Sequence, residues 1–238
     1  MEKAESIKQA EKLLYVQTVP CSVRAEELKK MFLYLNRLKE EDREQYEAVC
    51  NSLDNKTVDA LQKLKRCIRY PRKSIKEPSE KTTNGKMVFL SEKHQFYEDC
   101  KKAGMIVCEY GPAGEPNFDC ATEKDTVVDC SDLYDKYTSS QLKRRGGGHS
   151  FDSSFQDEAQ KRIAQNKRLE INDYWNKHHP NEQFVLYDAY YKWRDWKNLV
   201  PHEDANCKTM RLVNRVVHKT FVHIGGVSLI RIIKDFFV

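Results

Sequence analysis

Between Leu28 and Leu38 the apolar residues Leu28, Met31, Phe32, Leu35 and Leu38 recur at i, i+3, i+4, i+7 and i+10, which only a helix gathers onto one face. Ser22, ahead of the Glu26–Glu27 pair, is the predicted N-cap. A second amphipathic stretch carries Val58, Leu61, Leu64 and Ile68 at helical spacing, and Pro71 stops it. Neither helix holds a group of reactive side chains. Residues 1–70 are therefore expected to form a helical module for packing or for binding a protein partner.

From Pro71 to Lys86 the apolar periodicity is lost and Pro, Ser, Thr, Asn and Gly accumulate, so 71–86 is predicted as a basic linker. Residues 61–86 contain nine Lys or Arg against two acids, and residues 208–238 contain six against one. The chain as a whole carries only +5. The clustering, more than the total, fits either solvated faces or a phosphate-contacting surface. No run of about 18 to 20 apolar residues is present, and the charged start MEKAESIKQAEKLL lacks a signal-peptide pattern. These features predict no membrane partner and an intracellular protein, cytoplasmic or nuclear. The eight cysteines, spread from Cys21 to Cys207, show no Cys-x-x-Cys pair and are expected to be reduced thiols.

Beyond the linker, residues 87–238 read as one mixed domain. A short helix is expected within His94–Lys102, and strands within Gly104–Tyr110 and Val127–Cys130. Phe151, Phe155, Ala159 and Ile163 at four-residue intervals predict a helix starting near Ser150 or Asp152. Just before it, Lys143, Arg144 and Arg145 precede Gly146–Gly148, a hinge or a phosphate-approaching loop without the Lys-Ser/Thr of a nucleotide-binding loop. The aromatic-rich stretch 170–200 is expected to be core, and His178–His179 before Pro180 an exposed loop.

The last forty residues carry the chemistry. Leu199–Val200 leads to His202-Glu203-Asp204, Met210–Val213 reads as a strand, and Asn214–Val222 as a helix containing His218, with His223 after it. Strand, loop, strand and helix would place one histidine on a hairpin and two near the following helix. Imidazoles so placed can hold a divalent ion that neutralises charge on a phosphodiester, and a neutral histidine suits proton abstraction from water. His218 and His223 are five apart, so one of them has to lie past the helix end.

The segment Met210-Arg211-Leu212-Val213 through His218, then His223-Ile224-Gly225-Gly226-Val227, resembles the C-terminal signature of HNH/endonuclease VII nuclease domains of the bacterial polymorphic-toxin type, in the Trp-His-His group, with Ile224 in place of the usual threonine. Upstream, Gly114-Glu115-Pro116-Asn117-Phe118 and Val127–Val128 resemble the Gly-x-Pro-Asp-Phe segment and strand that open such domains. The resemblance implies an α+β chain ending in a ββα-metal motif, with His218 and His223 as ligands of one divalent ion (zinc, magnesium, manganese or nickel). It also implies His202 as general base and nucleic acid as partner, with Lys143, Arg144, Arg145, Arg211 and Arg215 contacting phosphates. Glu203 or Asp204 either supplies an additional ligand or only solvates the loop. Where the family carries paired strand histidines, this chain reads Leu199-Val200-Pro201-His202. Either His202 is the base on a longer hairpin, or Val200 and Pro201 occupy the histidine positions and the site has decayed to a binding scaffold.

Overall fold

The computed structural model describes residues 2–67, 75–76, 81–82, 85–111, 114–138, 153–223 and 226–237. Four helices come first: α1 (Glu2–Tyr15), α2 (Cys21–Glu41), α3 (Arg43–Ser52) and α4 (Asn55–Cys67). Next are β1 (Ile75–Lys76), β2 (Lys81–Thr82), β3 (Gly85–Leu90), α5 (Tyr97–Lys102) and β4 (Val107–Tyr110). A 3₁₀ turn at Asp119–Ala121 leads to β5 (Val128–Asp129) and α6 (Ser131–Lys136). The chain continues through α7 (Ser153–Asn166), α8 (Arg168–His178), α9 (Leu186–Trp196), β6 (Leu199–Glu203), β7 (Thr209–Asn214), α10 (Arg215–Thr220) and α11 (Gly226–Phe236). The architecture is mixed α+β, mainly helical with small antiparallel sheets. No helix among the described residues is long and apolar enough to cross a membrane.

Helix α2 buries Leu28, Met31, Phe32, Leu35 and Leu38, as the periodicity predicts. It starts one residue before the predicted cap. Pro20, with φ −52°, precedes the first turn and its carbonyl accepts from Val23 and Arg24 N–H at 3.0 and 3.1 Å, which leaves Ser22 buried inside the helix. Within 71–86, the predicted linker, β1 and β2 each pair antiparallel with β3, and β3 also pairs with β4. Strand propensity at Gly85–Leu90 supplies an edge that recruits these short segments despite their turn-rich composition. The predicted start of α7 at Ser150 or Asp152 and the Lys143–Gly148 stretch lie outside the described residues.

Two apolar clusters meet at the sheet β5-β7-β6. The larger joins α2 and α4 to α11 and to Trp175, Tyr190 and Trp193 of α8 and α9, so the N-terminal helices share a core with the last helix. The smaller gathers Val88, Cys108, Tyr110, Phe118, Val213, Val217 and Phe221. His178 ends α8 and is exposed, while His179 stacks on Trp175 with centroids 4.4 Å apart.

Candidate metal centre

The antiparallel register of β6 and β7 decides which side chains can meet. His202 stands opposite Arg211 and Val200 opposite Val213, whereas Glu203 stands opposite Met210 and Pro201 opposite Leu212. Directly opposed residues share a face, and successive residues alternate. His202 therefore faces the smaller cluster, with Val213. Glu203 faces the helical core, with Met210 and Leu212.

The turn from β7 into α10 is set by Asn214, whose side chain caps the helix by accepting from Val216 and Val217 N–H at 3.0 and 3.3 Å. One turn along α10, His218 projects toward the same face as His202. The helix ends at Thr220, and His223 reaches the site from beyond it. Its Nδ1 lies 2.8 Å from the Phe221 carbonyl oxygen, and Tyr110 Oη donates to the Val222 carbonyl at 2.9 Å, so the two residues before the ring are tied down.

The result is a triangle of imidazoles with ring centroids 4.7 Å (His202–His223), 4.8 Å (His218–His223) and 5.4 Å (His202–His218) apart. One ligand nitrogen from each lies within 4.8 Å of the others, and the three together could hold a metal ion. Phe118 packs against all three rings, at 4.9, 5.9 and 5.2 Å from His202, His218 and His223. It follows Gly114, whose φ of +80° is left-handed and suits glycine, in the segment that carries the upstream resemblance.

The protonation states suit a cation. Burial, reinforced by the charges of its two neighbours, lowers His218 to about 2, and burial lowers His223 to about 4. Both rings are neutral at pH 7. Because His223 Nδ1–H serves the Phe221 carbonyl, its Nε2 keeps the lone pair. His202 is 2% exposed; its Nε2 lies 3.4 Å from Asp204 Oδ1, and its Nδ1 is buried without a hydrogen-bond partner. An unpartnered buried nitrogen beside two neutral imidazoles is what a ligand position requires.

Of the predicted residues, His202, His218 and His223 are brought together. The structure groups His202 with the two helix-side histidines at ligand spacing. Glu203 is not in the group: it is buried on the opposite face, accepts from Gln156 Nε2 at 2.8 Å, and burial raises its pKa. The period of the strand turned it away. Asp204 sits behind His202 and also accepts from Arg211 Nε at 2.9 Å. Burial opposes its charge, but hydrogen bonds from His202 and Thr209, with the Arg211 charge, hold its carboxyl below the usual range.

Arg211 and Arg215 are already engaged. Arg211 bridges Asp204 and Asp119, the latter at 2.6 Å, and Arg215 contacts Asp195 at 2.6 Å. Either would have to exchange a carboxylate for a phosphate. Lys143, Arg144 and Arg145 lie outside the described residues. Sequence reasoning gave no role to Asp119, which closes the chain Asp119–Arg211–Asp204–His202. Nothing in its spacing announces that link, since 92 residues separate Asp119 from Arg211. Comparison of the chain with protein-family models, with curated proteins and with solved structures finds no match.

Proposed function

We propose that His202, His218 and His223 bind one divalent cation and that the chain is a metal-dependent nuclease of the HNH type, hydrolysing phosphodiester bonds in nucleic acid. The observation that carries this reading is the convergence of three neutral or unpartnered imidazoles on a strand, strand and helix unit, β6-β7-α10. Three protein nitrogens leave a coordination position open, the arrangement of reactive rather than structural sites. An ion bound there supplies positive charge against the oxygens of a phosphodiester and lowers the pKa of a coordinated water.

On this reading His202 is a third ligand through Nδ1, and Asp204 positions it by accepting from Nε2–H. Phe118 excludes water from one side of the rings and so strengthens the electrostatics within the site. Arg211, loosened from Asp119, turns toward the substrate phosphate.

A second reading has burial in its favour: His202 is 2% exposed and both nearby arginines are paired with carboxylates, which suits a catalytically degenerate scaffold of the same origin that binds nucleic acid or a protein. The experiment is elemental analysis of the purified protein, with cleavage of plasmid DNA and structured RNA under added zinc, magnesium, manganese or nickel and under EDTA. Stoichiometric metal with EDTA-sensitive cleavage that His218→Ala abolishes supports the nuclease. Metal-independent folding and no cleavage under any ion overturns it.

A further inference from the structure

Away from the histidines, a cavity of about 410 Å³ lies where the start of α2 meets the end of α6 and the side of α11. Its size is in the range of pockets for small molecules. Arg24 lines it and is only 4% exposed. Its Nε is buried with no hydrogen-bond partner, and among the described residues its terminal nitrogens reach only the Leu14 carbonyl and Cys21 Sγ, each at 3.4 Å. No carboxylate among the described residues pairs with it. A guanidinium stays charged at any ordinary pH, and burying it without a counter-charge is costly.

A second cation lines the same space. Lys234 Nζ donates to the Asp135 carbonyl at 3.2 Å and to the Tyr137 carbonyl, which are neutral acceptors. Burial lowers its pKa against the Cys21 thiol and the Asp135 carboxylate, which act in the other direction, and the Arg24 charge adds to the lowering. That carboxylate accepts from Cys21 N–H at 2.7 Å. Lys136, also at the cavity, is paired with Glu158 at 3.0 Å. The first turn of the 21-residue α2 contains no acidic residue and Pro20 offers no side-chain acceptor, so the Asp135 carboxylate, which also lines the cavity, is the group that meets the start of the helix dipole.

We infer that this cavity binds the oxyanion group, phosphate or carboxylate, of a small molecule, with the buried Arg24 and Lys234 supplying the charge. The site lies apart from the three histidines and stands whether or not they bind a metal.

The test is isothermal titration of the full chain with inorganic phosphate and with succinate, against chloride at matched ionic strength. Saturable binding of at least one probe is expected, weakened about tenfold or more by Arg24→Gln and by Lys234→Gln, and unchanged by His218→Ala. Phosphate alone binding assigns the phosphoryl class, and succinate alone the carboxylate class. If neither saturates, or if Lys234→Gln, at a half-buried position, binds as the parent does, the proposal is overturned. Circular dichroism of Arg24→Gln checks that lost binding is not lost folding; should that variant unfold, Lys234→Gln decides.

Discussion

The imidazoles of His218 and His223 are neutral because they are buried, and that has a consequence for stability. In the unfolded chain each takes a proton as pH falls through about 6.5, whereas in the folded chain His223 resists until about 4 and His218 until about 2. The unfolded state binds more protons over this interval, so stability is complete above pH 6.5 and declines as pH drops toward 4. For protein kept in EDTA, urea titrations should show a loss on the order of 1 kcal/mol per pH unit for each ring. A flat profile between pH 7 and 5 would contradict the burial. Asp204 gives a second expectation at the same scale. Asp204→Asn leaves the shape but removes the charge behind His202, and metal affinity measured by competition with a chromophoric chelator should fall about 10- to 100-fold. The histidines themselves were legible from sequence, since a hairpin followed by a helix brings them near one another. That Glu203 would turn away was not: it depends on which residue of β6 opposes which residue of β7, and neither strand's composition states the register.

At the scale of elements, α10 is six residues long and cannot hold itself together by internal hydrogen bonds alone. Asn214 is its nucleus. Asn214→Ala should cost about 1 kcal/mol by thermal or urea unfolding and, by loosening the helix that carries His218, should weaken metal binding as well. Gly226, the first residue of α11, is the other fixed point. A Cβ there would stand 2.2 Å from the Asp204 carbonyl oxygen and 2.9 Å from Tyr134 Oη, so the helix start and the hairpin turn fit only without a side chain. Gly226→Ala is expected to cost about 1–3 kcal/mol, read from the urea midpoint. Helices such as α2 and α4 could be read from periodicity because they bury one continuous stripe. The short strands β1 and β2 could not, because pairing with β3, and not their own two residues, makes them strands.

For the whole molecule, the sharing of one core by α2, α4 and α11 ties the two ends of the sequence together. Leu229, Ile230, Ile232 and Ile233 are all buried, and each such side chain contributes about 1.5–3 kcal/mol. Together they rival the about 5–15 kcal/mol that stabilises a typical domain. A chain starting at residue 87 should therefore aggregate or lack cooperative unfolding, as size-exclusion chromatography and calorimetry would show; a monomer with a sharp transition would refute this. The same dependence was hidden in the sequence, where more than 150 residues separate α4 from α11. The hairpin between the two cores has a last implication for variation in this chain. Deleting a single amino acid from β6 ahead of His202 would exchange the occupants of its two sides, sending a carboxylic acid among the imidazoles and an imidazole into the oily interior beside Tyr134. Any lineage that keeps the three imidazoles together must keep the parity of that strand, whatever else it changes.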